Sequence, residues 1–78
     1  MKEIEFKGKR FEYDETIVSK WSFQHKALKA SQGEFMHLMA DELFDDPYAV
    51  AERLDDDNVA MNELILAICD ELNESAKN

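Results

Sequence analysis

The acidic run Asp55-Asp56-Asp57-Asn58 is the densest set of potential metal ligands in the chain. A calcium loop spaces its oxygen ligands along the chain, turns at a central Gly and closes on a bidentate Glu. This run has no Gly, and three adjacent carboxylates point in different directions. It reads as a solvated interhelical loop that supplies a cap, and Asp45-Asp46 reads the same way. His25, His37 and Cys69 are the other candidate ligands. They fall on three separate elements with no second Cys or His at ligand spacing, whereas structural zinc takes four ligands. Cys69 sits on an apolar stripe rather than in an electropositive cleft, so a Cys–His nucleophile pair is equally unsupported. The chain has no phosphate-binding glycine loop, dinucleotide fingerprint or serine nucleophile elbow. The expectation is a protein that is not an enzyme and uses no cofactor or metal.

Binding is the chemistry that remains. Phe23, Phe44 and Leu66 fall outside the apolar stripes of their segments, and Met36 and Met61 lie at stripe edges. A compact fold that buries a second side of some helices would absorb them. The functional alternative is an adaptable hydrophobic groove for a partner segment, a role that Met and aromatic side chains suit. On that reading Phe23, Met36, Phe44 and Leu66 are the partner-binding residues, and Phe23→Ala and Phe44→Ala should weaken binding while leaving Tm nearly unchanged. Acidic surroundings would steer a basic or amphipathic partner and set its orientation.

Charge supports that direction. The formal net charge is −9, distributed unevenly. Residues 1–30 hold seven Lys/Arg against five Asp/Glu, and residues 31–78 hold two against thirteen. Such a surface repels nucleic-acid phosphates and suits a basic protein partner or mimicry of nucleic acid. With 45% apolar residues and only two Gly and one Pro, the 78 residues are expected to fold as a single domain. No apolar run is long enough to span a membrane, and the charged start Met1-Lys2-Glu3 does not read as a secretory signal. One cysteine excludes an intramolecular disulfide, so a reduced, cytoplasmic setting is expected.

The elements that must position these residues read as α+β, mostly α: an N-terminal hairpin packed on about four helices. In residues 3–14, Ile4, Phe6, Phe11 and Tyr13 alternate with charged residues, the period of a half-buried strand pair. A Gly8-Lys9 turn would set Phe6 opposite Phe11; a Lys7-Gly8 turn keeps the same faces but loses that pairing. A hairpin alone is marginal in water, so the helices must cover it. Residues 15–30 predict a helix capped by Asp14, with Ile17, Trp21 and Leu28 as its stripe and Val18 and His25 flanking. Phe23 then points about 120° away at ideal geometry. Residues 32–45 predict a helix opened by the capping box Ser31-Gln32-Gly33-Glu34, with Phe35, Met36, Met39 and Leu43 facing one way. Asp46 and Pro47 cap a short helix over 47–54, with Val50 and Leu54 on one side and Tyr48 and Ala51 nearby. The last helix, 58–74, carries Met61, Leu64, Ile65, Ile68, Cys69 and Leu72 on one wide face and is the expected scaffold. Residues 75–78 read as a frayed tail.

Phe6-Lys-Gly-Lys-Arg-Phe-Glu-Tyr-Asp-Glu15 before an amphipathic helix, then Asp46-Pro-Tyr-Ala-Val-Ala-Glu-Arg-Leu-Asp-Asp-Asp57 before Met61-Asn-Glu-Leu-Ile-Leu-Ala-Ile68, resembles the small tail assembly chaperones of siphophage and prophage tail operons. The resemblance covers about residues 4–72 and rests on patterns of residue type. Trp21 and the Met-rich helix over 32–45 depart from the family's usual pattern. The resemblance implies a non-enzymatic binding protein of the host bacterial cytoplasm. Its partner would be the long, aggregation-prone tape-measure protein, kept soluble during tail morphogenesis. Such chaperones are typically absent from the finished particle, and some are extended by a programmed ribosomal frameshift. Two other readings stand beside it: an acidic nucleic-acid mimic that inhibits a DNA-binding enzyme, and a small regulatory protein-binding adaptor. Mimicry would need carboxylates at near-phosphate spacing on one continuous surface. The partner's identity and the oligomeric state are open at this level.

Overall fold

The computed structural model describes residues 1–77, and the side chains of residues 1–74. The fold is α+β, mostly α. Strands β1 (Lys2–Phe6) and β2 (Lys9–Tyr13) form an antiparallel hairpin, and a 3-10 turn at Ile17–Ser19 leads into four helices. These are α1 (Trp21–Lys29), α2 (Gln32–Leu43), α3 (Pro47–Arg53) and α4 (Asn58–Lys77).

Of the two hairpin turns open to the sequence, the chain uses Lys7-Gly8, so Ile4 faces Phe11 and Phe6 faces Lys9. Lys7 and Gly8 both have positive φ, 52° and 76°, as a two-residue turn that follows the right-handed twist of the strands demands. Gly8 adopts that conformation freely, and Lys7 carries the strain. The register sends Lys9 toward the helices, where its ammonium donates to the Arg53 carbonyl at the end of α3. A helix C-terminus is short of donors and attracts cations. The Arg53 guanidinium in turn covers the Phe11 ring, 4.4 Å from its centroid. Further links tie β2 down: the Tyr13 hydroxyl donates to Glu71 Oε2 at 2.8 Å, and the Asp14 N–H donates to the Leu43 carbonyl at 2.9 Å. Ile4, Phe11 and Tyr13 are buried, so the helices do supply the hairpin's cover.

The first helix departs most from its sequence pattern. Residues 15–30 do not form one helix. Asp14 accepts from the Thr16 N–H at 2.9 Å and from its hydroxyl at 2.6 Å, closing a tight local turn instead of capping an α-helix. Thr16, Ile17 and Val18 are β-branched and weak helix formers. The chain makes one 3-10 turn, becomes extended at Lys20 (φ −84°, ψ 127°), and restarts at Trp21. That break resets the helical phase. Phe23 points inward and is buried with Ile17, whereas Trp21 and Leu28 are 75% and 85% exposed. Of the stripe expected to face the core, Ile17 does so, while Trp21 and Leu28 face outward.

The remaining helices follow their caps. Ser31 Oγ accepts from the Glu34 N–H at 3.3 Å, and Asp46 Oδ1 accepts from the Ala49 N–H at 3.2 Å with Pro47 in the first turn. α2 stops at Leu43, two residues earlier than expected, because Phe44 is extended (φ −113°, ψ 137°) and enters the core. After α3, Asp55 and Asp56 take left-handed φ values of 59° and 54°, and the Asp56 N–H donates to the Ala51 carbonyl at 2.8 Å. Asp is one of the few residues that visit this region routinely. Asp57 Oδ1 then accepts from the Val59 N–H at 3.0 Å, opening α4. α4 buries Ala60, Leu64, Ile65 and Ile68 in the core, as its wide stripe predicts. No Gly or Pro follows to stop it, and it continues to Lys77; of the expected frayed tail 75–78, Asn78 lies outside the described residues.

Candidate functional site

Where α2, α3 and the start of α4 meet, the surface is concave. The cleft has a volume of about 300 Å³, and the short side chains of Ala40 on α2 and Ala51 on α3 are among its lining. Ala40 and Ile65 are buried at its floor, and Met36, Ala51 and Met61 form half-buried walls. Met36 and Ala40 are one turn apart on α2; Met61 and Ile65 are one turn apart on α4. Each helix thus offers one i, i+4 ridge to the same hollow. Tyr48, 86% exposed, stands at the rim with His37.

The electrostatics of the cleft have one sign. Asp41, Asp56 and Asp57 line it, and among the described residues no Lys or Arg does, although Asp41 also borders a neighbouring hollow with Lys26 and Lys29. Asp56 and Asp57 are held there by the left-handed loop and the α4 cap, so backbone hydrogen bonds fix where their charge sits. Acids of the preceding loop point elsewhere: Asp45 and Asp46 border a separate hollow with Glu3, Glu12, Arg10 and Arg53. Of the carboxylates of residues 41–57, Asp41, Asp56 and Asp57 line the cleft, Asp45 and Asp46 border a hollow that contains cations, and Glu42, Glu52 and Asp55 line neither.

The four residues singled out in the sequence do not form one surface. Phe23 and Phe44 are 4% and 3% exposed and belong to the core. The phase reset at Lys20 turns Phe23 inward, and the extended Phe44 folds in beyond α2, which takes both off any partner surface. Met36 lines the cleft. Leu66 is 56% exposed but lies outside the cleft lining. Tyr48, Met61 and the three Asp complete the hollow. In the sequence Met61 reads as a stripe-edge residue and Tyr48 as a neighbour of the Val50–Leu54 side, and Ala40 and Ala51 carry no signal there. A second apolar feature, the outward face of α1, was misassigned to the core by assuming an unbroken helix.

The titratable groups offer no reactive constellation. The Tyr13 phenol is pushed up to about 12 by burial and by its hydrogen bond to the Glu71 carboxylate, which makes it a hydrogen-bond donor throughout the neutral range. Burial, with Asp70 nearby, pushes the Cys69 thiol up, away from the thiolate. His25 stacks on Trp21, ring centroids 4.7 Å apart and planes at 11°. Among the described residues no group of three His, Cys, Asp or Glu side chains is placed to hold a metal ion, and no helix is long and apolar enough to cross a membrane. What the surface provides is an acidic, Met-walled cleft. Compared with protein-family models, with curated proteins and with solved structures, the chain matches none.

Proposed function

We propose that this chain is a non-enzymatic chaperone of phage or prophage tail assembly, acting in the bacterial cytoplasm. It holds a segment of the tape-measure protein in the cleft between α2, α3 and α4. The observation that carries the binding reading is the cleft itself: flexible Met36 and Met61 walls, Tyr48 on the rim, and three carboxylates without a cation. Thioether side chains repack around differing apolar anchors, which suits the binding of a long client with many similar segments. The carboxylates favour segments whose apolar residues are flanked by Lys or Arg. An amphipathic helix laid into the hollow by anchors one turn apart meets both conditions. The choice of client rests on the resemblance of residues 4–72 to tail assembly chaperones. Nucleic-acid mimicry draws less support, since Asp41, Asp56 and Asp57 line one hollow, Asp45 and Asp46 border another, and Glu42 pairs with Lys26.

The test is co-expression with a tape-measure protein, the client class that the resemblance implies. The chaperone reading expects a higher soluble fraction of that protein, and loss of the gain with Met36→Glu plus Tyr48→Glu. An unchanged soluble fraction with the wild-type chain would overturn it.

A further inference from the structure

The outward face of α1 is a second apolar surface, and its chemistry is the reverse of the cleft's. Trp21, His25 and Leu28 follow i, i+4, i+7 spacing and fall within about 60° of arc. Trp21 and Leu28 are 75% and 85% exposed, and the stack of His25 on Trp21 makes a flat aromatic plate. Residues 16–33 contain Lys20, Lys26 and Lys29 and no Asp or Glu, in a chain of net charge −9. Lys26 pairs with Glu42 at 3.1 Å and Lys20 with Asp14 at 3.4 Å, while Lys29 lies about 80° round the helix from Trp21, beside the apolar stripe. α1 is thus a short cationic helix with an unburied aromatic-aliphatic face.

We propose that α1 of one copy docks, by this face, in the acidic cleft of a second copy. The occupant follows from complementarity: an apolar stripe with adjacent lysine meets an apolar hollow with three aspartates, each surface supplying what the other lacks. No residue of α1 lines the cleft of its own chain, and Phe23 anchors α1 in the core, so the contact forms only between molecules. The two surfaces differ, which makes the association heterologous. Each pair leaves one cleft and one α1 face unused, and further copies add head to tail until a ring closes. A single short helix in a cleft of this size buries an area at the low end of specific interfaces, so the association is weak and reversible. The inference rests on the same cleft as the client-binding reading. A client segment of matching chemistry competes with α1, and self-association becomes a reserve that client binding dissolves.

The experiment uses the protein alone, so its outcome is separate from the co-expression test. Sedimentation equilibrium should show the average mass at least doubling between about 10 μM and 1 mM at low salt, and less so at high salt. The emission of the sole tryptophan, Trp21, should shift to the blue over the same range. Leu28→Glu and Tyr48→Lys alter exposed side chains on the two opposed surfaces, and circular dichroism checks that both variants remain folded. Each alone should stay monomeric, and an equimolar mixture should form a 1:1 dimer and nothing larger, because it retains one intact α1 face and one intact cleft. A wild-type mass that stays that of one chain up to 1 mM would overturn the proposal. So would variants that associate like the wild type, or a mixture that remains monomeric.

Discussion

Phe23 and Leu28 sit five positions apart on the same short helix and have opposite fates, which makes them the sharpest residue-level probe of the fold. Phe23→Ala empties a core site and should cost about 3–5 kcal/mol. Leu28→Ala, at 85% exposure, should change stability by no more than about 0.5 kcal/mol. Urea denaturation of both variants checks the pair, and equal effects would mean that the helix does not break at Lys20. Tyr13 makes a second prediction, in pH. Its folded-state value of about 12 lies above the ordinary 10.0, so the neutral phenol is the form the fold favours. The unfolded chain then releases this proton first, and the stability Tyr13 contributes is intact below pH 10 and lost as pH rises through about 12. Tyr13→Phe should cost about 1 kcal/mol at neutral pH through the lost bond to Glu71. It should also flatten the fall in stability above pH 10, measured by denaturation at a series of alkaline pH values.

At the scale of elements, the caps are the controlling features, and the α3–α4 loop is where they are most demanding. Asp55 adopts φ 59° without the freedom of glycine. Asp55→Gly should therefore raise stability by up to about 1 kcal/mol, and Asp55→Val should lower it by at least as much, because a β-branched residue fits the left-handed region poorly. Thermal melts of the two variants decide it. The same caps explain which boundaries were legible in the residues. Ser31, Asp46 with Pro47, and Asp57 each carry a local signal that acts over three or four positions, and the helices start where those signals place them. The hairpin faces were readable from their period-2 alternation. The register was left between two turns, and the left-handed pair Lys7-Gly8 decided it. The region 15–30 was misread because Ile17, Trp21 and Leu28 make a convincing continuous stripe, and only packing of Phe23 against the core shows that the phase restarts after Lys20. Local propensity spoke against the continuous helix through Thr16-Ile17-Val18, but periodicity outweighed it.

At the scale of the molecule, a chain of 78 residues has little core to spare, and this one draws its central hydrophobes, Phe23 and Phe44 included, into a single cluster. A binding surface must then come from what packing leaves out. Concavity was not legible in the sequence, because it depends on Ala40, Ala51, Asp56 and Asp57 from separate elements lining the same hollow. Met36, expected at a stripe edge, lines the hollow together with Tyr48 and Met61 from other elements. Of the thirteen acids of residues 31–78, Asp41, Asp56 and Asp57 line that hollow. NMR titration of the isotope-labelled chain with fragments of a tape-measure protein tests binding in the cleft most directly. Shifts concentrated at Met36, Tyr48 and Met61, and abolished by Tyr48→Glu, are the predicted result; shifts confined to the hairpin's outer face at Glu3, Glu5, Arg10 and Glu12, or none at all, would contradict it.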